Sequence, residues 1–114
     1  MASVLLVEDE SLIRVMVADM LAELGHTVAG EAGDVAHGLM LASAPGVEAA
    51  ILDVNLGKES SEPIAEALQS GGIPFAFATE YNADGIPTAF KGHPFLRKPF
   101  LIEELESCLG TLLR

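Results

Sequence analysis

The sequence of 114 residues lacks tryptophan, has one tyrosine and one cysteine, and carries six lysines and arginines against 17 aspartates and glutamates. The lone cysteine, Cys108, forms no internal disulfide, so we expect a reducing compartment, the cytoplasm. The formal net charge of -11 repels phosphate backbones and anionic lipid, which disfavours nucleic acid and membrane surfaces as ligands. The chain shows neither the basic start of a signal peptide nor an apolar run of membrane-spanning length. The composition therefore favours cations and basic protein surfaces as partners.

Apolar residues, by contrast, make up half of the sequence. This share suits one compact domain with a single core, which we place at residues 1–114 without an effector domain. Short apolar runs alternate with segments of helical periodicity, and no internal repeat interrupts them. We predict strands at residues 3–7, 27–31, 49–52, 74–78 and 95–97, and helices at residues 11–24, 34–43 (capped by Asp34), 61–70 and 101–113.

Alternating strands and helices require parallel pairing through right-handed crossovers, so the pattern predicts an α/β fold with an open parallel sheet. Ligands of such sheets collect at the carboxyl ends of the strands. There the first strand delivers Glu8 and Asp9, and the third delivers Asp53. The fourth strand delivers Thr79, and the fifth is followed by Lys98. We therefore expect three carboxylates, a hydroxyl and an ammonium group to converge at one edge of the sheet.

Three clustered carboxylates beside a lysine suit a hard divalent cation such as Mg2+, which binds oxygen ligands and retains several waters. With Glu8 and Asp9 holding the ion, Asp53 can act as a nucleophile toward a phosphoryl group. Thr79 and Lys98 can then contact the phosphoryl oxygens. These residues predict a phosphoryl-accepting site that uses a metal ion.

These residues, in this order, resemble the receiver domains of two-component response regulators, the CheY-like proteins, over essentially the whole chain. The resemblance implies a flavodoxin-like, doubly wound (βα)5 fold whose five-stranded parallel sheet has the strand order 2-1-3-4-5. It implies that Glu8 and Asp9 bind Mg2+ and that Asp53 is the phosphoacceptor. It also implies that Asn55 lends its backbone carbonyl to the metal.

The same resemblance assigns roles to residues of the later strands. Thr79 matches the switch hydroxyl, Lys98 matches the family's lysine, and Phe95 matches the aromatic residue that moves with the switch. The family also implies a cis peptide bond between Lys98 and Pro99. The stretch Phe77-Ala78-Thr79-Glu80-Tyr81 resembles the FAT GUY subgroup of single-domain receivers, found mainly in alphaproteobacteria beside HWE and HisKA2 histidine kinases.

Three features depart from the family's pattern. Glu80 places a carboxylate after the switch threonine, where a small residue is usual, and residues 57–60 lack the proline that many receivers carry in this loop. Between Thr79 and Lys98 the chain has two prolines and two glycines, which predicts a short or missing fourth helix. We expect residues 82–94 to form at most a short helix and to be the most mobile part of the chain.

Taken singly, these residues have simpler interpretations. Residues 8–10 could cap the first helix, as we expect Glu10 to do, and the other polar site residues could be ordinary surface residues. For Phe95, composition alone favours a half-buried core position. Cys108 falls on the core face of the last helix, which predicts a structural thiol. The histidines lack metal-ligand spacing, so we expect surface or packing roles for His26, His37 and His93.

Other classes of function share parts of this pattern. A haloacid dehalogenase phosphatase also uses an aspartate nucleophile and Mg2+, but its DxDxT motif is absent after the first strand, where the sequence is Glu8-Asp9-Glu10-Ser11. A flavodoxin-like cofactor binder needs a phosphate-binding loop rich in Gly, Ser or Thr at that point. The alternative is a degenerate receiver that acts as a phosphorylation-independent interaction module, although such proteins usually lose an acid, the lysine or the acceptor.

We therefore predict a response regulator that is no enzyme beyond self-catalysed phosphoryl transfer and autodephosphorylation. A sensor histidine kinase or a histidine phosphotransfer protein supplies the phosphoryl group, and Asp53 takes it. The new dianion draws Thr79 and Phe95 inward. The signal leaves by protein contact, or the domain serves as a phosphate sink or a link in a relay. We expect a monomer or a weak dimer.

Overall fold

A computed structural model describes residues 1–81 and 83–114 of the chain and has seven strands and four α-helices in them. The strands are β1 (Ser3–Val7), β2 (Thr27–Ala32), β3 (Ala49–Asp53), β4 (Asn55–Leu56), β5 (Glu59–Ser60), β6 (Phe75–Thr79) and β7 (Phe95–Arg97). The helices are α1 (Ser11–Glu23), α2 (Val35–Ala42), α3 (Glu62–Ser70) and α4 (Ile102–Leu112). Within the described ranges, none of these helices combines the length and the apolar character that crossing a membrane requires.

Five of the strands form one parallel sheet in the order β2-β1-β3-β6-β7, which confirms the predicted strand order and the flavodoxin-like fold. At its centre, Leu52 of β3 pairs with Val7 of β1 and with Phe77 of β6. All residues of β3 and β6 are buried, as expected for strands covered by helices on both faces. The carboxyl ends of the five strands therefore lie along one edge of the sheet.

Successive residues of each strand point to opposite faces of the sheet, and helices cover both. Leu5 and Val7 of β1 face the core that includes Ile64 of α3. The intervening Leu6 faces the second core, to which α1 and α4 contribute. A side chain at Gly38 would collide with Ile64, so glycine allows α2 to pack closely against α3. These two cores hold the strands, and thus their carboxyl ends, in place.

The observed boundaries agree with the predicted ones to within a few residues. Gly25, with a φ of 86°, follows α1 as its predicted stop. The Asp34 side chain caps α2 by accepting a hydrogen bond from the His37 amide at 2.8 Å. Glu10 is the N-cap residue of α1 by position, but its side chain makes no capping hydrogen bond. The cap expected of the Glu10 side chain is therefore wrong.

The chain after β3 forms a small hairpin that we did not predict. β4 and β5 pair antiparallel, with Leu56 opposite Glu59, across Gly57 and Lys58. Gly57 has a φ of 64° and Lys58 a negative φ, the signs of a type II′ turn, which favours glycine at its first central position. Strands of two residues carry no periodicity, so the sequence pattern does not reveal them.

The described part of the connection between β6 and β7 contains no α-helix but two 3-10 helices, Ala83–Gly85 and Thr88–Phe90. This confirms the prediction that the helix between Thr79 and Lys98 is short or missing. Ile86 and Phe90 are nevertheless buried, and the Phe90 ring lies 5.7 Å from the Phe75 ring, centroid to centroid. Residue 82, the first of the segment predicted to be most mobile, lies outside the described residues, and the mobility of the segment stays a prediction.

Candidate functional site

The acidic residues predicted for the site lie together at the carboxyl edge of the sheet. Glu8 follows β1 and Asp53 ends β3, and these residues are only 4% and 9% exposed. Asp9, the neighbour of Glu8, is exposed. One carboxylate oxygen from each of the three acids lies within 4.8 Å of the others. The fold thus brings three acids from two strands into a single cluster.

Lys98 joins this cluster from the end of β7. Its Nζ donates to Glu8 Oε1 at 2.8 Å and lies 3.1 Å from Asp53 Oδ1, and its side chain is almost fully buried. Burial lowers the pKa of a lysine, but the hydrogen bonds and charges of Glu8 and Asp53 outweigh burial, so the pKa of Lys98 is raised. The Lys98 amide donates to the Thr79 carbonyl at 2.7 Å, and the peptide bond to Pro99 is cis, as predicted.

Backbone amides orient the two acids that follow β1. Glu8 Oε2 accepts a hydrogen bond from the Glu10 amide at 3.1 Å. Asp9 Oδ2 accepts one from the Gly57 amide, in the turn of the β4–β5 hairpin, at 2.9 Å. Sequence reasoning did not assign Gly57 to the site. The signal that could have identified it is the missing loop proline, because proline has no amide hydrogen to donate.

The acids carry more negative charge than Lys98 neutralises. Burial and, after it, Glu8 raise the pKa of Asp53 to about 7 from an ordinary 3.8, and Lys98 offsets only part of this rise. Burial also acts on Asp9, but hydrogen bonds with Glu8 and Gly57 outweigh it, so the pKa of Asp9 is lowered. A cation would relieve the repulsion at Asp53, and carboxylate oxygens are donors that Mg2+ prefers. The cluster therefore fits a divalent cation.

A cleft of about 160 Å3 lies beside these acids. Asp9, Asp53 and Thr79 line it, together with the exposed side chain of Glu80. Asn55, to whose carbonyl the family resemblance assigns a metal contact, lines the same cleft. The residues predicted to bind the metal and the phosphoryl group are thus next to one another.

Thr79 is buried at the end of β6, and its hydroxyl is held by the chain that follows. Thr79 Oγ1 accepts a hydrogen bond from the Tyr81 amide at 3.0 Å. A Cβ added to Gly85 would lie 3.0 Å from the same oxygen. Sequence reasoning treated Gly85 only as a helix breaker, whereas the structure shows that its missing side chain lets this connection approach the Thr79 hydroxyl.

Phe95 is a predicted site residue that the fold places outside both the acid cluster and the cleft. It pairs with Phe77 across β6 and β7 and is 38% exposed, so it is partly buried, as its composition favours, but it belongs to neither of the two cores. It lines a surface groove beside α4, together with Cys108. Cys108 packs against the core, as predicted, and burial raises the pKa of its thiol.

The histidines have the structural roles expected of them. His26 Nδ1 accepts a hydrogen bond from the Ala2 amide at 3.1 Å, and the His93 ring stacks on Phe75 with centroids 4.9 Å apart. His37 contacts the Asp34 carboxylate near the surface. In the part of the chain that the structure describes, the three clustered acids are the only group of three side chains with metal-ligand spacing.

Comparison with solved structures identifies the family. SdrG from Sphingomonas melonis Fr1 is 43% identical in sequence, with a TM-score of 0.88 over 100% of this chain and 98% of that chain. The BeF3-activated conformation of SdrG also matches, with a TM-score of 0.84. The receiver domain of the hybrid histidine kinase CckA is 26% identical, with a TM-score of 0.80 over 99% of this chain and 100% of that domain. The chain belongs to the receiver domains of response regulators.

A curated relative of this receiver domain is the transcriptional regulatory protein PdtaR of Mycobacterium tuberculosis. It is 32% identical over 106 residues, which are 90% of this chain and 52% of PdtaR. The receiver domain thus spans about half the length of the curated relatives it matches. No protein-family model matches the chain. Its relatives support a role of this receiver in two-component signalling.

Proposed function

We propose that this receiver domain accepts a phosphoryl group from a phosphohistidine on Asp53, with Mg2+ as its cofactor. The observation that carries the proposal is the cluster of Glu8, Asp9 and Asp53 around Lys98, beside a cleft that Asp9 and Asp53 line. A nucleophilic carboxylate, a cation paired with it and oxygen donors for a metal are the groups that phosphoryl transfer requires.

In the transfer, an Asp53 oxygen forms a bond to phosphorus while the bond between phosphorus and the donor's histidine nitrogen breaks. The electron pair of the broken bond stays on the imidazole, which takes up a proton. Asp53 must be ionised to attack, and the Lys98 ammonium beside it favours the ionised form. Lys98 then donates to an oxygen of the new phosphoryl group, which keeps the added charge compensated.

Asp9, Glu8, Asp53 and the backbone carbonyl of Asn55 are the groups that would hold the ion. When bound, Mg2+ neutralises part of the negative charge of the acids and of the phosphoryl oxygens. Asp9 is the exposed member of the cluster and is therefore accessible to an ion from solvent. Glu8 has a second task, because its Oε1 accepts the hydrogen bond that holds Lys98.

Thr79 and Phe95 would respond to the phosphoryl group. The Thr79 hydroxyl accepts a hydrogen bond from the Tyr81 amide, so a move of this hydroxyl toward a phosphoryl group on Asp53 would disturb the chain after β6. Phe95 on the edge strand β7 is partly exposed and lines a surface groove, so we expect its ring to move inward after phosphorylation. SdrG, a relative, has a BeF3-activated conformation.

The phosphoryl donor would dock on α1, beside the cleft. Leu12, Val15 and Met16 each leave more than half of their surface exposed there, and exposed apolar patches mark interaction sites. A groove of about 390 Å3 next to them connects this helix with the site, and its lining includes Ile13, Met20, Glu80, Lys98 and Phe100. The stretch Phe77-Ala78-Thr79-Glu80-Tyr81 supports membership of the FAT GUY subgroup and a donor of the HWE or HisKA2 type.

The output would be a protein contact, or the domain would act as a phosphate sink. Its chemistry would be limited to self-catalysed phosphorylation and autodephosphorylation, so it would have no enzymatic substrate of its own. Action without an effector domain, a monomeric or weakly dimeric state and a cytoplasmic location stay predictions. So does the lack of nucleic-acid and membrane ligands, which depends on the net charge of -11.

Intact mass tests the proposal. After incubation with acetyl phosphate and Mg2+, the wild-type domain should gain the mass of one phosphoryl group, and the Asp53→Asn variant should gain none. Asp84→Asn removes an exposed acid from the connection after β6 and is the matched control, which should be phosphorylated like the wild type. Phosphorylation of Asp53→Asn would contradict the assignment. Failure of the wild type to accept phosphate would favour the phosphorylation-independent interaction module.

A further inference from the structure

Arg14, in the first turn of α1, contacts the turn that carries the metal-binding acids. Its guanidinium Nη1 donates to the Glu8 backbone carbonyl at 2.7 Å, and its Nε lies 3.3 Å from Glu31 Oε1 of β2. The Arg14 side chain is about three-quarters buried. One guanidinium thus connects α1, the end of β1 and the end of β2.

Gly33 makes room for this contact. A Cβ at that position would lie 2.9 Å from Arg14 Nη1, closer than real Cβ contacts come, so any side chain there would displace the guanidinium. The neighbouring backbone is held as well, because the Glu8 amide donates to the Ala32 carbonyl at 3.0 Å. The ends of β1 and β2 therefore form a closely packed binding position for the Arg14 guanidinium.

We propose that Arg14 is a positioning residue for the metal-binding acids: it holds the peptide group between Glu8 and Asp9 so that both carboxylates face their partners. The inference rests on the proposed function of the site. The orientation of this peptide group sets the direction in which both side chains leave the backbone. The Glu8 side chain points toward Lys98, and the Asp9 side chain points toward the Gly57 amide. Loss of the Arg14 contact frees this turn to rotate. Binding of the ion must then order the acids, and the conformational entropy lost in doing so weakens Mg2+ binding.

The sign of the effect on Mg2+ affinity separates positioning from simple charge. Arg14 is a cation near a cation site, so by Coulomb's law alone its removal makes Mg2+ bind more tightly. If Arg14 positions the acids, its removal makes Mg2+ bind more weakly. Residues that orient metal ligands typically contribute about 10- to 100-fold to metal affinity. Because this contact is to the backbone and partly exposed, we expect a loss of about tenfold.

The experiment is a Mg2+ titration of the full chain at constant ionic strength, followed by the NMR shift of the Gly57 amide. Arg14→Met removes the charge and the hydrogen bonds but keeps a good helix former, and it should bind Mg2+ about tenfold more weakly than the wild type. Arg14→Lys keeps the charge and one donor and should restore part of the affinity. Arg97→Met, at an exposed arginine that ends β7, is the matched charge control and should bind as tightly as the wild type or more tightly.

A second readout is independent of the metal. In metal-free buffer, the amides of Asp9 and Glu10 should exchange faster in Arg14→Met than in the wild type, while amides of β3 should not change. If Arg14→Met does not fold, Gly33→Ala takes its place, because its Cβ would displace the guanidinium without changing any charge, and it should also bind Mg2+ more weakly.

Wild-type affinity in Arg14→Met, or tighter binding like that expected of Arg97→Met, would overturn the positioning role of Arg14 and leave the proposed function intact. Unchanged affinity in both Arg14→Lys and Gly33→Ala would do the same if Arg14→Met is unfolded. A wild-type protein that binds no Mg2+ would overturn the metal site itself, and the role of Arg14 with it.

Discussion

The two sides of the cleft are held in different ways. On the acid side, Lys98 bonds to Glu8 and the Gly57 amide bonds to Asp9, so side chains and backbone from distant parts of the chain fix the acids. On the hydroxyl side, the Thr79 hydroxyl bonds to an amide just two residues along the chain, and the described part of the connection that follows has no α-helix. A receiver needs both properties, because the acids must be in place to bind the ion while the switch must move after phosphorylation.

The connection between β6 and β7 is packed more tightly in its second half than in its first. Ile86 and Phe90 are buried and His93 stacks on a core ring, so the second half of the connection packs against the sheet. The first half includes Tyr81 and Asp84, which are exposed. We therefore expect the adjustable part to lie before residue 86, a shorter stretch than the segment 82–94 expected from the sequence.

The largest loss of stability is expected from Phe90→Ala. A small loss in this variant would mean that the second half of the connection is packed as weakly as the first. Phe90 is 1% exposed and its ring contacts Phe75, Phe77 and His93, so its loss should lower the free energy of unfolding by about 3–5 kcal/mol. Urea unfolding measures this loss. The control Tyr81→Ala, at a residue 66% exposed, should change stability by no more than about 0.5 kcal/mol. Similar small losses in both variants would mean that the second half packs weakly too.

On the acid side, Asp53→Asn should relieve charge repulsion in metal-free protein. An acid whose pKa is raised to about 7 from 3.8 destabilises the fold fully above about pH 7, progressively less between these values, and not below about pH 4. Solvent screens part of the repulsion, so we expect the variant to melt about 5 °C above the wild type at pH 8 and little above it at pH 4.

Thermal unfolding followed by circular dichroism, with a chelator present, measures this difference. Glu59→Gln, which neutralises an exposed acid of the hairpin, is the control and should show no comparable pH-dependent gain. If Asp53→Asn had the same melting advantage at both pH values, its cause would be something other than ionisation of Asp53.

On the hydroxyl side, a side chain at Gly85 should disturb the switch. Because its Cβ would lie 3.0 Å from Thr79 Oγ1, Gly85→Ala should lower the free energy of unfolding by about 1 kcal/mol. The loss should become smaller in a Thr79→Ala background, where the contact with Tyr81 Cβ at 3.3 Å remains, and a double-mutant cycle measures this coupling. Gly110→Ala is the matched control in α4, where a Cβ meets no neighbour. Equal losses with and without the Thr79 hydroxyl would show that the crowding has another source.

The smallest expected effect is a difference in amide exchange between the two 3-10 helices of the connection after β6. In the unphosphorylated protein, amides of residues 83–85 should exchange faster than those of residues 88–90, because only the later stretch includes a buried aromatic anchor. Beryllium fluoride with Mg2+ should slow exchange at residues 83–85 and leave β3 unchanged. Hydrogen exchange resolved by NMR measures both. Uniform protection from 83 to 94, or no response to the mimic, would mean that the signal leaves through another face.

Elements long enough to show a hydrophobic period were predictable from the sequence. Very short strands, and the exposure of single side chains, were not. The apolar run of β1 and the helical periodicity of α4 each extend over enough residues to identify the element. The β4–β5 hairpin has two residues per strand and therefore no period. The exposure of Phe95 was also not predictable, because a large aromatic residue is buried on average. Here the connection before the edge strand β7 contains no α-helix in its described part to cover it.

The apolar runs of the sequence are followed by acids, a hydroxyl and a lysine, so the pattern alone predicts that these polar groups stand at the ends of strands. Tertiary structure decided which atoms meet. Lys98 is 90 residues from Glu8, and Gly57 is 48 residues from Asp9, and no local pattern relates residues so far apart. Parallel pairing around β3 aligns the strand ends, and the resulting distances of about 3 Å decide which charges pair and which carboxylate is left to repel its neighbours.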